Sequence, residues 1–484
     1  MPLRKEKTQG ELLIRVALAL ALWSVPVAAS AGGTLKTVVV AKDTLSPFPD
    51  APYQRLGDPQ VGDHDPSKVF FFGTAKPTVK PKVTKKCLFA LNSAGTGRPL
   101  SCRGDVAPFS GQQFRIFSKI GVNAIGESTW GSLLSGDQNG IFHQHFDASI
   151  DLSTVALVGS TVPHVTGALY FVSDLTSSKS PPFPSAVSDD GLIVFRGKIN
   201  LPVPIPANPI DDGVFICDGG SGDCSGFPNL IQAVVLKNDG VPDRPGYQFC
   251  AFSPTVDAST YGIVFRAAIK LNCADTKEKS KIGIFRKPRP TPPTTIALER
   301  EAANPSPVPG GALYDEFNPV HLAINNSGDV MFHASTTTGG VVTSEFLFFC
   351  PGTSTCQPAP GTAAVNAVSF GGTDADSNRF TSLQTPSMDE EGNISFTASV
   401  KITATNQGGS AVYVKHVPHE IPPGTGGPIQ RIVLTGDPVP DQPGARFKNV
   451  FGSANSPGGR VAFRSSIENS SPPRSQRVGL FLFE

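Results

Sequence analysis

The sequence has little of what a helical or membrane-embedded protein needs. Among 484 residues there are 3 Met and 2 Trp, no sustained heptads, and little of the three-to-four spacing of apolar residues that marks an amphipathic helix. The one long apolar run, Val16 to Trp23, is too short to span a bilayer. Catalytic signatures are also missing. There is no Gly-x-Ser-x-Gly elbow, no His-Glu-x-x-His, no phosphate loop and no dinucleotide fingerprint. Nor is there net charge: 41 Lys and Arg against 40 Asp and Glu leave +1. That balance offers no overall electrostatic case for nucleic acid or an anionic membrane.

What is present points first to export. Arg4, Lys5, Lys7 and Arg15 precede the apolar run, and Ala29-Ser30-Ala31 follows as a small-x-small cleavage site, so residues 1–31 read as a secretory signal peptide. Removing them leaves a net charge of about −1. No Cys follows the leader's apolar core to take a lipid, so a secreted or periplasmic, monomeric chain is expected. In an exported chain 8 Cys favour disulfides. Near neighbours suggest Cys87 with Cys102, Cys217 with Cys224, Cys250 with Cys273, and Cys350 with Cys356. A zinc site at Cys217 and Cys224 lacks a second close ligand pair.

With 49 Gly and 45 Pro, the chain is built for many turns. Aligned aromatics recur at Phe72, Trp130, Phe195, Phe265, Phe332, Phe396 and Phe463, spaced by 58, 65, 70, 67, 64 and 67 residues. A period of this size with turn and strand signals inside it is the mark of a repeat fold. Turns such as Ser188 to Gly191, Asn325 to Gly328 and Asp389 to Gly392 lead into those aromatics. There Asx side chains bond their own backbone and Gly accepts positive φ. Each unit continues with a short strand such as Gly283-Ile-Phe285 or Gly479-Leu-Phe481, then a fourth such as Ile432 to Asp437. The last unit lacks its fourth strand, and Val38 to Asp43 stands alone near the N-terminus to supply it.

The fold expected is therefore all-β: a seven-bladed β-propeller of four-stranded blades spanning 32–484, closed by an N-terminal strand (about 35–45) pairing with the C-terminal blade. The units run about 46–105, 106–160, 161–240, 241–303, 304–370, 371–438 and 439–484. Segments such as INNSGDVMF, SDDGLIVF and NSPGGRVAF resemble the repeats of exported bacterial tandem-repeat proteins of the choice-of-anchor type, with an Asn-x-x-Gly-x-Val-Ala-Phe pattern. The resemblance implies export and a propeller, and assigns no catalytic residue.

Three sets of residues are candidates for chemistry. Asp43, Asp105, Asp239 and Asp437 recur in the turn after the fourth strand, where a ring of carboxylates could hold a cation or a basic or hydroxylated ligand, or could simply cap turn N–H groups. Asp105 also completes an Arg103-Gly104-Asp105 tripeptide that the repeated turn explains. His143, His145 and Asp147 alternate along a strand, so all three project to one side as possible zinc ligands, against the plainer reading of a solvated strand face. Paired acids Asp189-Asp190 and Asp211-Asp212 read as solvated turn residues, although carboxylates from different blades can meet on a propeller axis as glycosidase chemistry requires. No cofactor is expected, with a divalent metal left open. The leading functional expectation is a non-enzymatic scaffold that binds a protein or glycan; the alternative is an exported enzyme acting on carbohydrate through axial carboxylates.

Overall fold

The computed structural model describes residues 33–484 except 63–68, 81, 93, 137, 145–151, 161–168, 172–183, 201–209, 219–230, 302–312, 340, 353–364, 370, 417–427, 457–458 and 470–476. The expected leader, residues 1–31, lies outside them, as do Cys224, Cys356, His145 and Asp147. Seven antiparallel sheets follow one another along the chain. Blade 1 is Tyr53–Leu56 with Gln60–Val61, then Val69–Ala75, Lys85–Leu91 and Gly97–Cys102. Blade 2 is Phe114–Val122, Ser128–Leu134, Asn139–Gln144 and Leu152–Leu157. Blade 3 is Leu169–Phe171 with Ser185–Val187, then Leu192–Asn200, Asp212–Asp218 and Ile231–Leu236. Blade 4 is Gln248–Ala258, Gly262–Lys270, Lys281–Pro288 and Thr294–Leu298, and blade 5 is Leu313–Ile324, Val330–Thr338, Val341–Cys350 and Val365–Ser369. Blade 6 is Arg379–Met388, Asn393–Ile402, Gln407–His416 and Gln430–Leu434. Blade 7 is Ala445–Ser456, Arg460–Asn469 and Arg477–Phe483, with Leu35–Val40 as its fourth strand.

First strands of successive blades neighbour one another all the way round, so they form the inner wall of a closed ring. This is the seven-bladed propeller that the repeat predicts. Closure is by backbone: Thr34 N donates to Glu484 O at 2.7 Å, and Glu484 N returns a bond to Thr34 O at 3.1 Å. Val39 pairs with Leu480 beyond a bulge at Thr37. Val38, Val39 and Ala41 then pack with the core of blade 1, while Val40 packs with Phe463 and Phe481 of blade 7.

The repeating aromatic has a partner in every blade. Second-strand aromatics lie directly across from third-strand aromatics: Trp130 opposite Phe142, Phe195 opposite Phe215, Phe265 opposite Phe285, Phe332 opposite Phe348, Phe396 opposite Tyr413, and Phe463 opposite Phe481. The Phe265 and Phe285 rings stack at 5.6 Å and 20°. In blade 1 the equivalent position is Phe71, stacked on Phe89 at 5.5 Å, and not Phe72, which pairs with Leu88 and is only half-buried. A one-residue slip reverses which face a side chain occupies, and the run Phe70-Phe71-Phe72 hides that slip.

In six of the blades a third ring closes the group edge-on from the first strand. Phe249 meets Phe285 at 4.9 Å and 73°, Tyr314 meets Phe348 at 5.2 Å and 75°, and Phe447 meets Phe481 at 4.8 Å and 74°. Edge-to-face and offset-stacked contacts are the arrangements that the ring quadrupole favours. The Gly of Gly-x-aromatic follows from this packing. A Cβ at Gly479 would sit 2.6 Å from Phe481 Cζ, so the backbone must stay bare for the ring to lie against it.

Candidate functional site

A cleft of about 510 Å3 opens between blades 1 and 2, at the end of the ring where second strands pass to third strands. Its floor is Phe72 and Phe117, stacked at 5.1 Å and 16° across the blade boundary. Its rim carries Arg55, Lys86, Arg103 and Arg115, all exposed, and among the described residues no carboxylate lines it. Strand alternation places two of these cations: Cys87 and Cys102 are cross-strand partners turned inward to form a disulfide, which leaves their neighbours Lys86 and Arg103 outside. Arg103 N donates to Lys86 O at 2.8 Å, so the two cations share one strand end.

Acids in the flanking turns are already engaged. Asp105 Oδ2 accepts from Cys102 N at 2.7 Å, and Asp58 is held by Arg464 Nη2 of blade 7 at 3.0 Å. Among the described residues no ion pair holds Arg55, Lys86 or Arg103. Guanidinium forks over an apolar floor suit a carboxylate, sulfate or phosphate group on a partly apolar ligand.

Net charge conceals this site. Between residues 68 and 119 lie Lys68, Lys76, Lys80, Lys82, Lys85, Lys86, Arg98, Arg103, Arg115 and Lys119, against the single acid Asp105. The rest of the chain keeps 31 of the 41 basic and 39 of the 40 acidic side chains. A windowed charge count would have found the cleft, whereas the total excludes an electrostatic partner that one blade favours.

The four repeated aspartates are held in their own turns rather than brought together. Asp105, Asp239 and Asp437 each accept the backbone N–H three residues back, from Cys102 at 2.7 Å, Leu236 at 2.8 Å and Leu434 at 2.8 Å. Asp43 pairs with Arg477. His143 is fully buried, with Nε2 3.6 Å from Glu127 Oε2, so it does not sit on a solvated strand face. Its expected co-ligands His145 and Asp147 lie outside the described residues. Disulfides join Cys87 to Cys102 and Cys250 to Cys273. Cys217 and Cys350 are disulfide-bonded as well, their expected partners Cys224 and Cys356 lying outside the described residues.

Carboxylates do meet at the opposite end of the ring, where first strands end and turns lead into second strands. Asp189 of blade 3 accepts from Ala124 N of blade 2 at 2.7 Å and from Asn326 Nδ2 of blade 5 at 2.8 Å. Glu390 of blade 6 accepts from Asn326 N, and Asp257 of blade 4 accepts from Ile324 N at 3.0 Å. A bond from blade 3 to blade 5 passes blade 4, which is possible only near the axis. Burial pushes Glu390 up to about 8, with the charges of Asp189, Asp257 and Asp389 adding to the shift. Burial likewise pushes Asp389 to about 7 and Asp257 to about 6.

Of the paired acids read as solvated turn residues, Asp190 and Asp211 stay partly exposed, at 41% and 42% of their side chains, whereas Asp212 does not. Asp212 is buried and receives a two-pronged bond from Arg196, Nε to Oδ1 at 2.9 Å and Nη2 to Oδ2 at 2.6 Å. Asp190 receives both Nη atoms of Arg289, at 2.8 and 3.1 Å. Single-residue propensities favour turns for Asp-Asp-Gly, and only the fold supplies the cation: Arg196 on the adjacent strand of the same blade for Asp212, and Arg289 of blade 4 for Asp190.

No family model and no curated protein sequence matches the chain. Among solved structures it is similar to one described as the structure of the Dos1 propeller, with 9% identity over 93% of this chain and 95% of that one and a TM-score of 0.39. It is also similar to an alpha-L-arabinofuranosidase from Lactobacillus brevis, with 10% identity over 62% and 89% and a TM-score of 0.25. A third is the AtxE2 isopeptidase, with 9% identity over 92% and 58% and a TM-score of 0.25. Likenesses this distant carry nothing about ligand or reaction.

Proposed function

We propose that this protein is an extracytoplasmic binding propeller that seats an anionic ligand, with carboxylated or sulfated glycans as the chemical class, in the cleft of blades 1 and 2. The carrying observation is that Arg55, Lys86 and Arg103 surround the Phe72–Phe117 floor with no carboxylate among the described residues of the lining. Export rests on the leader-like residues 1–31 and accords with the disulfides. The likeness of the repeats to exported bacterial tandem-repeat proteins points the same way. Calorimetric titration with uronate, sulfated and neutral oligosaccharides tests the reading. Charge-assisted hydrogen bonds contribute about 1.5–3 kcal/mol each, so Arg55→Ala with Arg103→Ala should weaken an anionic glycan at least tenfold. Equal affinity for neutral glycans would overturn it.

The enzymatic alternative has one observation in its favour: a carboxyl held near 8, as at Glu390, is what a general acid needs. Yet Asp189, Asp257 and Glu390 all accept backbone N–H groups of neighbouring blades, and that role accounts for their burial without a substrate. Glycoside hydrolysis lost in Glu390→Gln, with the fold intact, would put the enzyme first. A divalent metal at His143, His145 and Asp147 stays a proposal, tested by whether EDTA lowers the melting temperature of wild type and not of His143→Ala.

A further inference from the structure

Between the second and third strands of blade 1 lie Lys76, Lys80 and Lys82, and the strand start that follows carries Lys85 and Lys86, all exposed. Between them Val79 and Val83 stand out at 63% and 57% exposure. Connections from fourth strands to first strands emerge at the same end of an antiparallel blade. They bring Leu45 at 61%, Val106 at 62% and Phe109 at 78% to that end. Backbone bonds tie the pieces together: Thr78 N donates to Asp50 O at 2.9 Å, Lys76 N to Pro52 O at 3.2 Å, and Arg103 N to Lys86 O at 2.8 Å.

Single exposed apolar side chains are ordinary, but five gathered at one end of one blade among five lysines are not. A soluble polyanion would use the lysines and leave the apolar side chains in water. A bilayer uses both, because its anionic headgroups attract lysine and its acyl boundary takes Val, Leu and Phe. We propose that this end of blade 1 docks on the surface of a bilayer rich in anionic lipid, with the lysines of 76–86 at headgroup level and Leu45, Val79, Val83 and Phe109 inserted beneath them. The contact is peripheral; among the described residues no helix is long and apolar enough to cross a membrane. It leaves out the cleft floor, since Phe72 and Phe117 take no part, and shares only Lys86 with the cleft rim.

The test is co-sedimentation of the chain without its expected leader, residues 32–484, with vesicles of phosphatidylglycerol and phosphatidylcholine, against vesicles of phosphatidylcholine alone. Binding is expected only with the anionic lipid and should fall as salt is raised. Changing Lys80, Lys82 and Lys85, none of which lines the cleft, to Gln should cut partitioning at least tenfold, and Val79→Ser, Val83→Ser and Phe109→Ser together several-fold. All these side chains are exposed, so an unchanged melting temperature verifies the fold of each variant. No binding to anionic vesicles overturns the proposal. So does binding that the apolar variant leaves unaltered, which would assign the lysines to a soluble polyanion. Arg55→Ala with Arg103→Ala should leave vesicle binding nearly intact, so failure of the cleft reading and failure of this one are separable.

Discussion

Asn326 Nδ2 donates to Asp189 Oδ2 at 2.8 Å, joining a turn of blade 5 to a turn of blade 3 past blade 4. Around this bond Glu390, Asp389 and Asp257 are raised to about 8, 7 and 6 by burial. Other charged groups facing them include Asp189, which adds to the rise of Glu390, and Lys119, which opposes that of Asp257. An acid whose folded pKa lies above its unfolded value binds more protons when folded. Its contribution is complete below about pH 4 and is lost as pH rises through 6 to 8. Replacing Glu390 by Gln removes the largest of the three shifts. The melting temperature of wild type minus that of Glu390→Gln should therefore fall between pH 5 and pH 9; a difference that stayed constant or rose would show that Glu390 titrates normally.

Gly479 and Phe481 allow a clean test of the aromatic groups. A methyl at Gly479 would meet Phe481 Cζ at 2.6 Å, in a ring cluster already close-packed. Overpacking of this kind costs about 1–3 kcal/mol. Gly479→Ala should lower unfolding free energy by that amount in denaturant titration. Gly408→Ala, where nothing lies within 4 Å, should change it little. Equal effects at both positions would mean that the third-strand Gly is there for backbone reasons alone.

These rings also show what the sequence reveals and what it hides. Second and third strands are legible because their aromatics sit in unbroken registers, such as Gly262–Ile269 against Lys281–Pro288. First strands are not, since bulges interrupt them: Gln248–Ala258 shifts register twice against its neighbour, which breaks the period-2 pattern that betrays a strand. That is why Tyr53, Phe114, Phe249, Tyr314, Phe380 and Phe447 escape a repeat alignment although each closes an aromatic group. The cleft was hidden differently. Arg55, Lys86, Arg103 and Arg115 come from four separate strand ends, and only the packing of blade 2 on blade 1 assembles them.

Buried charge gives a third prediction. Asp212, at 2% exposure, pairs with Arg196 through two bonds and also lies 3.5 Å from Lys198 Nζ. Asp212→Ala would leave a buried guanidinium without its counter-charge, which costs about 3–5 kcal/mol. Replacing Asp212 and Arg196 together by Leu and Met should recover most of that loss. A single variant as stable as wild type would show that water reaches the pair.

Ring closure makes the sharpest demand on the chain. Leu35–Val40 is the fourth strand of blade 7, yet Val38, Val39 and Ala41 pack against Tyr53, Phe71 and Phe89 of blade 1. Deleting residues 34–46 therefore does two things at once. It leaves Arg477–Phe483 as an unpaired edge, and it strips side chains from the boundary where the last blade meets the first. Each fully buried Val contributes about 1.5–3 kcal/mol, and an unpaired edge invites association with other chains. The truncated protein should melt far below one that begins at residue 32, and it should aggregate on heating. Synthetic peptide 34–46 added in trans should raise its melting temperature with concentration, as a ligand selective for the folded ring would. Truncation without effect would mean that six and three-quarter blades hold the ring unaided, and that the pairing of Val39 with Leu480 is dispensable.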